Sequence, residues 1–194
     1  GMNAHALTDH GHMNGLSFQV EHLKKMRADG KEFRALYGCE SYFIRSHKKW
    51  RKMYEEHKAN QKRQKKEEFG MVIETEDRKL KRNPLNDRRH LVMIAQNQTG
   101  LNNLFQLVSD SYQPENFYRY PRMDFEMLDK YNEGLIISTA CMSGPLFGDY
   151  WKNRDKSPDH VLAAMRDTIA QFKEIFGDRF YGEVQWNDIK EQHE

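Results

Sequence analysis

Apolar positions along the chain change their spacing several times, and each change marks an element. Residues 4–8 are a short apolar run that ends abruptly in Asp9-His10-Gly11, as a buried strand does when it delivers polar groups to its C-terminal end. Leu16, Val20 and Leu23 then share one helical face, which predicts a helix over about 16–29, stopped near Gly30. Residues 35–44 hold two short apolar pieces around Gly38, the second opening on Glu40. Residues 90–95 form a continuous apolar strand. Thr99 is the expected N-cap of the next helix, whose inner face is Leu101, Leu104, Phe105 and Val108. Asp124 is expected to cap a short helix carrying Phe125 and Leu128, and residues 134–138 read as a strand running into Thr139-Ala140-Cys141. The longest clean helix is predicted at about 159–176, where Leu162, Met165, Ile169, Phe172 and Phe176 repeat at three and four before Gly177. Residues 179–186 are the last predicted strand.

Strands alternating with helices imply an α/β fold, a mainly parallel sheet with helices outside it. Such folds place their chemistry at the C-terminal ends of strands. Asp9, His10 and Cys141 stand at such ends. Adjacent residues of a strand point to opposite faces, so Asp9 and His10 cannot both face one site.

Residues 46–70 break the pattern. Lys and Arg dominate, with Trp50, Met53 and Tyr54 but almost no aliphatic face. High helix propensity with weak amphipathicity predicts an exposed helix or a mobile arm. A small hairpin is expected from residues 71–73 and the stretch around Leu80.

Charge sharpens this contrast. The 194 residues carry a formal net charge of only +2, so no global field commits the chain to nucleic acid. Yet residues 45–68 hold ten Lys or Arg against four Glu. Lysines and arginines interleaved with Trp50 and Tyr54 suit phosphate contacts, although a solvated charged helix has the same composition. Two cysteines, Cys39 and Cys141, do not make a disulfide framework, and a reducing cytoplasmic setting is expected. No run is long and apolar enough to span a membrane.

The blocks that stand out are Ala4-His5-Ala6-Leu7-Thr8-Asp9-His10-Gly11-His12-Met13-Asn14-Gly15, Gly38-Cys39-Glu40-Ser41-Tyr42, residues 90–104 from His90, residues 117–124, Ser138-Thr139-Ala140-Cys141, and Phe180-Tyr181-Gly182-Glu183-Val184-Gln185. In this order they resemble the PHP (polymerase and histidinol phosphatase) domain family, in the version found at the start of bacterial- or phage-type replicative DNA polymerase III alpha subunits. The resemblance covers nearly the whole chain outside residues 46–88, which count as an insertion. It implies a distorted barrel of about seven β/α units, incomplete here, with residues 1–194 a partial PHP domain. The family's opening His-x-His segment would precede residue 1, and its closing Asp-x-His segment would follow residue 194.

The resemblance also implies a metal site. PHP domains bind up to three divalent ions, zinc or manganese, through nine ligands and use them for phosphoester hydrolysis. Position by position, His10 resembles a ligand of the third ion. Glu40 resembles the carboxylate that bridges the first two ions, and His90 and Cys141 resemble ligands of the second. Asp9 stands beside the site as a residue that orients a ligand, so Asp9, His10 and Glu40 form the expected catalytic set. His12 is an extra histidine where the family more often has asparagine. Pro145 replaces an acidic residue common after the Cys-x-x-Gly turn. Taken singly, Glu40 would be a surface acid and Cys141 a small buried hydrophobe; their joint occurrence is what carries the assignment.

Three functions follow from these readings. The first is a piece of a replicative DNA polymerase whose PHP domain proofreads as a metal-dependent 3′–5′ exonuclease or braces the polymerase. Its partners would be DNA, the rest of the polymerase chain and replisome subunits, with magnesium serving primer extension. The second is a stand-alone PHP phosphoesterase acting on a small ester such as histidinol phosphate. The third is a non-catalytic DNA-binding or structural module. The piece alone is expected to be inactive.

Overall fold

The computed structural model describes residues 2–68 and 83–186. Five strands form one sheet in the order β1 (Ala4–His10), β2 (Arg34–Phe43), β3 (Arg89–Ala95), β6 (Leu135–Ser138), β7 (Phe180–Tyr181). β1 pairs parallel with β2, and β6 parallel with β7, but β3 runs antiparallel to both β2 and β6. Four strands therefore share one direction and β3 alone is reversed. The expected mainly parallel sheet is in fact mixed. Among the described residues the outer strands β1 and β7 make no further pairing, so the sheet stays open.

The helices follow the apolar periods. α1 (Leu16–Ala28) follows β1, α3 (Gln98–Ser111) follows β3, and α4 (Phe125–Lys130) precedes β6. α5 (Pro145–Asn153) and α6 (Pro158–Phe176) form a helical pair behind β6. Leu91 and Met93 of β3, Cys39 and Phe43 of β2, and Leu135 and Ile137 of β6 are buried against Leu104, Leu107, Leu128, Phe172 and Phe176 of these helices. β3 occupies the middle of the sheet, which is why its run is apolar without interruption.

Several local expectations shift. Asn97, not Thr99, caps α3, its side chain accepting from Gly100 N at 2.9 Å. Asp124 caps α4 as expected, accepting from Met127 N at 3.1 Å. In α6 Leu162 lies exposed while Thr168 is buried, because the Thr168 hydroxyl bonds the Asp149 carboxylate of α5, which Arg45 also grips at 2.9 Å. The last strand is only two residues long. A two-stranded hairpin, β4 (Phe117–Tyr118) with β5 (Tyr120–Pro121), was not expected; Arg119 makes its turn at φ 61°.

The charged stretch is a helix, α2 (His47–Glu68), and its first turns are docked rather than mobile. Trp50 is 5% exposed and packs with Ile44 and Leu85, with Tyr54 stacked on it at 5.2 Å. A buried apolar side chain of this size stabilises by about 2–3 kcal/mol. Beneath it Arg122 is fully buried, donating to the carbonyls of Tyr118, Tyr120 and Leu85 at 2.7, 3.2 and 2.9 Å. Burial, and then the nearby Arg88, lower its pKa to about 10, so it stays charged at neutral pH. The hairpin expected around residues 71–80 lies outside the described residues.

Candidate metal centre

The sheet direction decides what meets at its polar edge. β1, β2 and β6 bring their C-terminal ends there, and the reversed β3 brings its start. His10 is the last residue of β1 and pairs in register with Glu40 of β2. His90, second in β3, lies opposite Tyr42, one pleat beyond Glu40. The three side chains converge. His90 Nδ1 lies 2.6 Å from Glu40 Oε1, and His10 Nδ1 lies 3.5 Å from the same oxygen. One ligand atom from each of His10, Glu40 and His90 falls within 4.8 Å of the others.

Cys141 reaches the flank of this group. Its Sγ lies 3.8 Å from His90 Nδ1, though it is not in the set of mutually close atoms. Two features hold it. Ala140 takes the left-handed region at φ 54°, which turns the chain sharply after β6. His90 N then donates to Ser143 O at 3.0 Å, tying the Cys141–Gly144 turn to β3. Pro145 fits the first turn of α5, where its missing N–H costs nothing.

The other cysteine is different. Cys39 is fully buried beside Glu40, and burial pushes its thiol up to about 12. It is a protonated core residue. Glu40 moves the opposite way. The His90 hydrogen bond holds its carboxyl below the ordinary carboxylate range; partial burial opposes this, and the charges of His10 and His90 add to it. Glu40 is therefore an anion at neutral pH, facing two imidazoles.

Asp9 turns to the opposite side of β1, away from the cluster. Its Oδ2 accepts from Gly15 N at 2.7 Å, with His12 Nδ1 3.7 Å away. A Cβ at Gly15 would sit 2.8 Å from that oxygen and 2.6 Å from Leu7, so only glycine allows the approach. Asp9 thus holds the loop into α1, and with it Gly11, whose N–H bonds Glu40 O at 2.8 Å. It meets His12 and the backbone, not the three converging side chains. His12 likewise stays with Asp9.

Donor chemistry fits a divalent cation. Two imidazoles, an ionised carboxylate and an adjacent thiol are the ligand types zinc takes, and the first three also suit manganese. Beside them lies an aromatic wall to which the sequence reading gave no role. Tyr42 packs edge-on against His90 at 5.5 Å and against Tyr120 at 5.1 Å, and the Arg88 guanidinium sits 3.7 Å over the Tyr120 ring. Strand alternation was the available signal, since it puts Tyr42 on the same face as Glu40.

Residues 1–187 match the model of the PHP domain. The chain is 30% identical, over 99% of its length, to the DNA polymerase III subunit alpha of Aquifex aeolicus, and spans 13% of that protein. It is 40% identical over 53% of its length to the corresponding subunit of Borreliella burgdorferi, of which that match covers 8%. Over 41% of its length it is 44% identical to a PolC-type DNA polymerase III of Staphylococcus aureus, covering 5% of it.

Proposed function

Because the chain belongs to the PHP domain family, we propose that it is part of a replicative DNA polymerase and hydrolyses phosphodiesters at the 3′ end of DNA. His10, Glu40, His90 and Cys141 would hold the divalent ions, zinc or manganese. The observation that carries this reading is the meeting of two imidazole nitrogens at one ionised carboxylate oxygen, at 2.6 and 3.5 Å. When bound, such ions lower the pKa of a water toward neutrality and neutralise phosphate oxygens. The chain's residues do the rest. Glu40 stays anionic and so needs to release no proton before binding a cation. The strand register sets His10 and His90 on either side of it, and Asp9 fixes the loop that follows His10.

The polymerase names of the relatives favour this over a stand-alone phosphoesterase. DNA, the remainder of the polymerase chain and other replisome proteins are the partners that follow, in the cytoplasm, with magnesium serving primer extension. Lys48, Lys49, Arg51 and Lys52 are exposed on α2 and would meet DNA phosphates. Among the described residues no helix is long and apolar enough to cross a membrane.

The test is Glu40→Gln in the complete polymerase, which keeps shape and removes charge. Release of a labelled 3′ nucleotide should fall at least about a hundredfold, while primer extension changes little. If nuclease activity, extension and melting temperature fall together, the site is a structural brace. Retained nuclease activity with unchanged metal content would give the role to another carboxylate.

A further inference from the structure

The aromatic wall beside the metal cluster is a built surface. From His10 the ring-to-ring steps are 5.6 Å to His90, 5.5 Å to Tyr42 and 5.1 Å to Tyr120, all edge-on. Arg88, 3.7 Å over Tyr120 and 5.0 Å from the Tyr42 ring, closes the far end. Tyr120 remains 37% exposed even with Arg88 on it. Tyr112 and Phe117 are also exposed and stack on each other at 5.8 Å. An apolar core does not need these rings outside, and a mere surface does not align them with a cluster of metal-ligand side chains.

We infer that Tyr42, Tyr120 and Arg88 form a stacking platform that seats the bases of a single strand while its terminal phosphodiester lies at His10, Glu40 and His90. This rests on the phosphoesterase reading for its orientation. Two observations point to nucleic acid rather than to an apolar peptide. Arginines are interleaved with the rings: Arg88 over Tyr120, Arg119 5.8 Å from Tyr118, and Arg51 bonded to Asn116 at 3.2 Å beside Phe117. The Arg88 Nε also finds no hydrogen-bond acceptor among the described residues, although it is buried. Every base has a π-face, so rings and guanidinium planes bind single strands without reading their sequence. Rings that start at the cluster and turn 64–68° at each edge-on step offer separate faces to separate bases, which would favour an unpaired end over a duplex, because paired bases are stacked on each other and are not free to stack here.

The experiment uses the 194-residue chain in chelator, so that binding is read without hydrolysis. The probe is a fluorescent thymidine oligonucleotide with 2-aminopurine next to its 3′ end. Anisotropy should report binding, and 2-aminopurine emission should change on stacking. Tyr120→Ala and Arg88→Ala should each weaken binding about tenfold, whereas Tyr120→Phe, which keeps the ring, should bind as the unaltered chain does. Moving 2-aminopurine to the 5′ end should remove the emission change. Equal affinity in the Tyr120→Ala chain with an unchanged melting temperature would overturn the platform, as would tighter binding of duplex or a failure to bind the oligonucleotide at all. If the Tyr120 and Arg88 arms behave as stated while the polymerase shows no metal-dependent nuclease, the phosphoesterase reading fails and the platform stands.

Discussion

Glu40 and His90 meet at 2.6 Å across β2 and β3; Asp124 and His47 meet at 3.2 Å where α4 and α2 begin. The same two functional groups are used, and their surroundings set them apart. Asp124 Oδ2 accepts from His47 N at 2.8 Å as well as from the ring, and Oδ1 accepts from Met127 N. Its lone pairs are committed to the backbone, and both side chains are 7% exposed or less. Among the described residues Glu40 Oε1 meets the imidazoles of His90 and His10, and its side chain is 19% exposed. A carboxylate whose oxygens cap helices and loops is structural. One whose oxygen faces nitrogens from two other strands is open to a cation. The distance between the paired atoms does not separate the two cases; the number of backbone N–H groups aimed at the carboxylate does.

The largest test of that contrast is stability. Asp124→Ala removes an N-cap, about 1 kcal/mol, and leaves His47 buried without its partner, about 1–3 kcal/mol more. A loss of about 3 kcal/mol lowers the melting temperature by roughly 6–12 °C in a chain of this size. Glu40→Gln in metal-free buffer should shift it by no more than about 3 °C. Calorimetry giving equal losses would mean that Glu40 is also structural.

A smaller effect lies in the acid limb. Burial works against the Asp124 charge, but the hydrogen bonds from the His47 ring and from the His47 and Met127 backbones outweigh it, and its carboxyl sits below the ordinary value. The stabilisation is present above the unfolded carboxylate pKa of about 4 and is lost as pH falls through the depressed folded value. The melting-temperature gap between the chain and Asp124→Asn should therefore be constant from pH 7 to 5 and shrink below pH 4. A gap that stays constant down to pH 3 would show that charge is not what Asp124 contributes.

The smallest effect concerns the flanking thiol. Cys141→Ser should weaken zinc binding about tenfold and manganese binding less, since thiolate prefers zinc. Cys39→Ser should leave zinc affinity within about twofold, because its side chain is fully buried in the apolar core, on the face of β2 opposite Glu40. Competition with a chromophoric chelator measures both. Equal losses from the two cysteines would remove Cys141 from the site.

What the sequence determined by itself was local. The apolar period of residues 158–176 makes α6 wherever it packs, Asp124 caps the turn beside it, and the uninterrupted run of β3 announces a central strand. His10, Glu40, His90 and Cys141 were legible as a set because they lie in motifs whose order resembles one family. Tertiary structure decided which of them meet, and how. Strand direction leaves no mark on a period of two, so nothing local says that β3 is reversed and brings His90 to the polar edge by its first residues. Which face Asp9 takes depends on Gly15, six residues away, letting a backbone N–H come close. Arg122 and Trp50 are polar or amphipathic groups that turn inward only because the carbonyls of Leu85, Tyr118 and Tyr120 wait there. Local propensity is a property of neighbours in the chain; partners for buried polar groups come from residues far along it, and only the folded chain supplies them.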